Sequence, residues 1–223
     1  MERLIPFESK ELLEVDLAQH IAAILHGEIA KKGLATILLS GGSTPKNLYQ
    51  KLGEIALDWS KVHIGLVDER FVPQDSPYSN ETLIRESLMT ENASNAHFHS
   101  MVIDSLNYEE NLQLAITENE VFRKTDVIIL GMGDDGHTAS LFPNDEQSIA
   151  ASISSELMFN TNAPNEPSKR ITFCGPILQN GEHIFLMITG TKKLDVLLES
   201  EEKNHPIHQF IPFIKGIYFT ENV

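Results

Sequence analysis

Residues 131–143 read GMGDDGHTASLFP and follow the aliphatic run 127–130. An imidazole titrates near ~6.5, so His137 is suited to general-base work at neutral pH. Asp135, two positions earlier, can fix its tautomer or share the proton traffic. Gly131, Gly133 and Gly136 permit positive φ or a close approach of ligand to main chain. A lone loop histidine is most often structural or exposed. One that follows an acid, amid glycines and beyond a strand, favours catalysis instead.

Four further stretches carry candidate groups. In LSGGSTP (39–45), Gly41, Gly42, Ser43 and Thr44 lie between an apolar run and a helix start. Backbone N–H groups of such a turn favour a phosphate or carboxylate, and a plain tight turn with an N-cap is an equal reading. The segment matches neither a Walker loop nor a GxGxxG fingerprint. In DERF (68–71), Asp68 can orient a neighbour and Arg70 can steady an anion, or both belong to a solvated charge cluster. Arg170, before ITF, and Lys193, after Gly190, are scarce cations in an acidic chain, either phosphate ligands or surface charges. Lys193 falls near an expected helix N-terminus, which favours anions, and Lys192 rivals it.

Other polar residues point away from chemistry. His97 and His99 lack an evident third ligand and His137 lacks an HExxH setting, so no metal site is expected. Ser40 and Ser43 are not in a GxSxG elbow. Cys174 lies among apolar residues and is expected to be buried. His205 and His208 flank a proline and are expected to be structural. The sequons at Asn80 and Asn92 read as chance matches.

The elements that must hold these residues repeat one pattern. Apolar spacing over 9–32 marks one face of a helix, with Gly33 as its stop. ATILLS (35–40) is a short, continuously apolar strand, followed by a helix with Thr44 at the cap and Pro45 in the first turn. VHIGLVD (62–68), 126–130, HIFLMIT (183–189) and GIYFT (216–220) are strands, the last expected at an edge. Helices are expected over 80–89 and 192–198, and an exposed loop over 160–168, with one continuous sheet across it. Strand, polar loop and helix in repetition argue for an α/β fold: a doubly wound, mostly parallel, Rossmann-like sheet in one domain spanning 1–223. Ligands of such folds bind beyond the carboxyl ends of the strands, where every loop singled out above falls.

The bulk numbers narrow the partners. A formal net charge of −15, from 32 Asp and Glu against 17 Lys and Arg, repels a phosphate backbone at long range, so nucleic acid is not an expected partner. A small phosphate can still be held where a few cations converge. With Cys174 as the sole cysteine there is no intramolecular disulfide. No apolar run approaches the ~18 residues of a membrane span and no secretory signal is evident, so a cytoplasmic protein is expected.

Taken in order, LSGGSTP, VDERFVP, GMGDDGHTASLFP, RITF and ITGTKK resemble the 6-phosphogluconolactonases, which share a superfamily with glucosamine-6-phosphate deaminases. In the deaminases the fifth residue past the histidine is a glutamate that assists ring opening; here it is Phe142. The resemblance implies hydrolysis of 6-phospho-D-glucono-1,5-lactone in the oxidative pentose phosphate pathway, without metal or organic cofactor, by a monomer or small homo-oligomer. It implies His137, Asp135 and Arg70 as catalytic groups. Gly41, Gly42, Ser43, Thr44, Asp68, Arg170 and Lys193 would bind the phosphosugar. A deaminase/isomerase and a non-catalytic phosphosugar-binding regulator are the alternatives. Asp134 stands where many family members have proline.

Overall fold

Apolar runs with no polar face need cover on both sides, and the strands that carry them lie at the centre of the molecule. A computed structural model describes residues 3–222. Its elements run β1 (Leu4–Pro6), α1 (Lys10–Lys32), β2 (Ala35–Leu39), α2 (Lys46–Gly53), β3 (Val62–Leu66), β4 (Asp68–Arg70), α3 (Asn80–Ser87), β5 (His97–Phe98) and α4 (Tyr108–Glu118). They continue with β6 (Val127–Leu130), α5 (Glu146–Ile153), β7 (Met158–Asn162), β8 (Lys169–Phe173), α6 (Gly175–Gln179), β9 (His183–Thr189), α7 (Thr191–Leu198) and β10 (Ile214–Thr220). Seven strands form a parallel sheet in the order β1-β10-β9-β6-β2-β3-β5. Every residue of β2 and β6 is buried, as their unbroken apolar sequences require.

The direction of winding reverses between β2 and β6. Chain order runs outward from β2 through β3 to β5 on one side, and from β6 through β9 and β10 on the other. The loops after β2 and β6 therefore diverge and open a crevice at the carboxyl edge, where doubly wound sheets take ligands. Those loops are SGGST and GMGDDGH.

Four expectations need correction. The strand expected over 62–68 breaks at Val67, because DER belongs to a second, three-stranded antiparallel sheet, β4-β8-β7. Val67 is the joint: its N–H donates to Leu39 O of the main sheet, and its carbonyl accepts from Phe173 N beside the small one. Residues 160–162 belong to β7, 163–168 form the expected loop between β7 and β8, and because both strands lie in the small sheet no single sheet continues across it. The late strand β10 is not an edge, since β1 pairs outside it. Thr44 does not cap α2; Pro45 holds that position without a side-chain hydrogen bond. α1 follows the expected pattern, with the Ser9 side chain accepting from Leu12 N and Gly33 closing it at φ 86°.

No helix among the described residues is long and apolar enough to cross a membrane.

Candidate active site

At the crevice, the glycines of the 131–143 loop are set by contact with particular side chains. A Cβ on Gly133 would lie 2.2 Å from His137 Cε1, so the imidazole rests on bare backbone. Gly136, at φ 77°, carries the turn, and its missing Cβ makes room for the His205 ring. Gly133 N donates to His137 O at 2.9 Å and closes the loop. The expected base and its partner meet: His137 Nδ1 is 2.5 Å from Asp135 Oδ1, which also accepts from the His137 N–H at 3.2 Å. Burial would raise the Asp135 carboxyl, but the bond to His137 and the imidazole's charge outweigh it and hold the pKa at about 2. An ionised Asp135 beside Nδ1 favours the tautomer that carries its proton there, which turns the Nε2 lone pair toward the recess. The Phe142 ring covers the imidazole at a centroid distance of 4.7 Å.

Around His137 lie two adjoining recesses. One, of about 290 Å³, is lined by Gly41, Gly42, Ser43, Thr44, Asp68, Arg70, His137 and Lys193. The other, of about 420 Å³, is lined by Arg170, Asp135 and Phe142 and shares Asp68, Arg70 and His137 with the first. Arg170 and Lys193 thus open on different recesses that meet at His137, not side by side on one.

The cations are held in different ways. Lys193 Nζ donates to Met132 O, and burial lowers its pKa against the pull of Asp134 and Asp135. The rival, Lys192, turns outward and pairs with Asp134 at 2.5 Å, so only Lys193 lines the recess. Arg170 is 9% exposed, and its Nε and Nη1 are buried without a hydrogen-bond partner among the described residues. A buried guanidinium with idle donors is costly unless an anion meets it. Arg70 Nη1 donates to Tyr78 O at 2.6 Å.

Several contributors escape motif reading. Asn80 lines the first recess, gives Nδ2 to Asp68 O at 3.0 Å, and puts its amide where a Gly41 Cβ would sit. Asn80 is 2% exposed, so the sequon there presents no surface acceptor. Glu69 accepts from the N–H groups of Arg70, Asn80 and Glu81 and from Ser79 Oγ, clamping the start of α3 onto β4. Met132 and Met187 complete the wall. Only the packing of α3 on β4 brings Asn80 and Glu69 in. The discounted histidines lie elsewhere: His99 Nε2 is 2.8 Å from His63 Nδ1, and His97 Nε2 is 3.0 Å from Ser60 O. Cys174 is buried and free.

A family model described as glucosamine-6-phosphate isomerases/6-phosphogluconolactonase matches residues 8–213. The chain belongs to this family. Among its relatives, a 6-phosphogluconolactonase of Rhizobium meliloti is 36% identical over 200 residues, covering 87% of this chain and 85% of that protein. One of Helicobacter pylori is 33% identical, covering 92% and 88%. The crystal structure of a 6-phosphogluconolactonase from Shewanella baltica superposes with a TM-score of 0.92 at 34% identity, covering 99% of this chain and 97% of that one. Phe142, five residues past His137, is 6% exposed, and its ring lies tilted against the candidate base.

Proposed function

We propose that this chain is a 6-phosphogluconolactonase, hydrolysing 6-phospho-D-glucono-1,5-lactone to 6-phosphogluconate in the oxidative pentose phosphate pathway. The observation that carries the reading is the pair at 2.5 Å, His137 Nδ1 and Asp135 Oδ1, with Nε2 left open beside a recess rich in backbone donors and cations. The family relatives bear the same name over most of their length.

His137 Nε2 takes a proton from water as its oxygen bonds to C1 of the lactone. Asp135 stays ionised and steadies the imidazolium. Negative charge on the former carbonyl oxygen is met by Arg70 or by N–H groups of the glycine loop. As the carbonyl re-forms, the bond from C1 to the ring oxygen breaks, and His137 returns the proton to that oxygen. The new carboxylic acid then ionises to solvent. The 6-phosphate sits against Ser43, Thr44 and the amides of Gly41 and Gly42, with Lys193 on one side. Arg170 adds a cation on the adjoining recess. Asp68 reads the sugar and not the phosphate, since an anion beside a phosphate repels it. A single domain holds all of these groups.

A deaminase would need an acid to open the sugar ring, and Phe142 supplies none. The test is hydrolysis of freshly generated lactone with spontaneous opening subtracted. Wild type turns over, and His137→Ala falls by ~10²–10⁴-fold in kcat while 6-phosphogluconate still binds. Binding without turnover by wild type would instead favour a phosphosugar-binding regulator.

A further inference from the structure

Ser140 is three residues beyond His137, 1% exposed, and every polar group it has is used. Its Oγ donates to Asp68 Oδ2 at 2.5 Å. Its N–H donates to Thr172 Oγ1 at 3.3 Å, and its carbonyl accepts from Thr161 Oγ1 at 2.8 Å and Ser148 Oγ at 3.3 Å. One serine thus ties the loop that carries His137 to β4, β7, β8 and α5. The residue before it, Ala139, sits at φ 49°, a left-handed conformation that a side-chain-bearing residue adopts only under constraint. That turn carries the chain from the imidazole down to β4.

At the other end of the bond, Asp68 lines both recesses. Its backbone carbonyl is held by Asn80 and its Oδ2 by Ser140, while Oδ1 has no hydrogen-bond partner among the described residues. A carboxylate held at one oxygen has one orientation in which to present the other. Oδ1 is thus open to a donor in the recess, and with Arg170 making no hydrogen bond to it, a hydroxyl of the sugar ring can take that place.

We propose that Ser140 is a positioning residue for the lactonase reaction. By holding Asp68 Oδ2 it aims Oδ1 at a ring hydroxyl of the substrate, in register with His137 on the same loop. This rests on the lactonase reading above. The hydroxyl that Asp68 accepts from sets where C1 lies relative to Nε2, so misaiming Asp68 misplaces the reacting carbon. The serine, 1% exposed at the wall of the second recess and with its hydroxyl committed to Asp68, acts through that carboxylate.

The test is a double-mutant cycle on the full chain with freshly generated 6-phosphogluconolactone: wild type, Ser140→Ala, Asp68→Ala and the double variant. Thermal melts of each verify folding. Turnover by wild type tests the reading beneath the proposal; the ratios among variants test the proposal itself. Removing a hydrogen bond to a charged group is expected to lower kcat/KM by about 10- to 100-fold in Ser140→Ala. In the Asp68→Ala background the same change is expected to cost less than about 2-fold, since coupled residues do not add. Ser140→Cys, which keeps the size but donates weakly, should follow Ser140→Ala if the alanine variant folds poorly. Equal penalties in both backgrounds, or a Ser140→Ala variant within about 2-fold of wild type, would overturn the assignment.

Discussion

A single methyl group separates a working loop from a broken one at position 133. With its Cβ placed 2.2 Å from His137 Cε1, an alanine there must expel the imidazole or bend the loop. Gly133→Ala is expected to cut kcat by ~10²-fold or more, the loss that follows when a general base moves out of reach. Its melting temperature should change little, because Gly133 and the displaced imidazole are half-buried at the crevice, while the loop's core residues Met132 and Leu141 keep their packing. Activity and thermal melting measured on one preparation check both halves. The two lysines of α7 give a second contrast at this scale. Lys193 lines the recess and Lys192 faces Asp134 outside it. Lys193→Ala should raise KM for the phospholactone by about 10-fold or more, in line with the loss of a charge-assisted bond. Lys192→Ala should stay within about 2-fold of wild type, as exposed ion pairs contribute little. Equal effects of the two would remove Lys193 from phosphate binding.

Among the elements, β4 and α3 supply the wall of the site that carries Asp68, Arg70 and Asn80, and their junction contains a buried acid. Burial pushes the Glu69 carboxyl up to about 7, against the pull of the N–H groups of Asn80, Glu81 and Arg70 and of the Ser79 hydroxyl. The unfolded chain releases this proton near its ordinary value of 4.5, so between 4.5 and about 7 the folded state binds the extra proton. Stability from this group is therefore full below 4.5, falls as pH rises through that window, and is flat above it. Urea midpoints of wild type and Glu69→Gln compared from pH 4.5 to 8 isolate the effect, since the histidines titrate in both. The difference between the two should carry a slope only below about pH 7. This junction also marks where the sequence stops being legible. The unbroken apolar runs of β2, β6 and β9 announce a buried parallel sheet, and the loops they feed announce the site. DER carries no apolar alternation, so nothing local separates a strand from a charged strand end, and its pairing with RIT is a contact across about a hundred residues. Ser140 is illegible for the same reason, its partner Asp68 lying 72 residues away, whereas Asn80 and Glu69 meet partners up to 12 residues away across the turn from β4 to α3, which no local pattern marks. At Thr44 a hydroxyl before proline suggests a cap, whereas here the residue lines the recess and Pro45 takes the cap position.

At the scale of the whole molecule, two sheets share one site, and whether they also share one unfolding transition is a separate question. One apolar cluster contains Leu38 and Ile128 of the main sheet together with Ile171 and Phe173 of the small one. The Phe122 ring meets Phe173 edge-on at 6.1 Å. Sheets that divide a core in this way are not independent, so the chain is expected to unfold as a single cooperative unit. Trp59, the sole tryptophan and 2% exposed, reports the environment beside β3, while far-UV circular dichroism reports all the strands and helices. In urea the two transitions should coincide. Saturating 6-phosphogluconate should move both midpoints upward together, because a ligand held by SGGST on one sheet and by Asp68 and Arg70 on the other binds only the folded whole. At about 100 times its dissociation constant the gain is ~2.7 kcal/mol, with an unchanged denaturant slope. Were the small sheet a separate unit, circular dichroism would lead tryptophan fluorescence, and the product would shift the earlier transition alone. Lys193→Ala should shrink the ligand-induced shift, whereas His137→Ala should preserve it, separating the groups that hold the phosphosugar from the one that moves its proton.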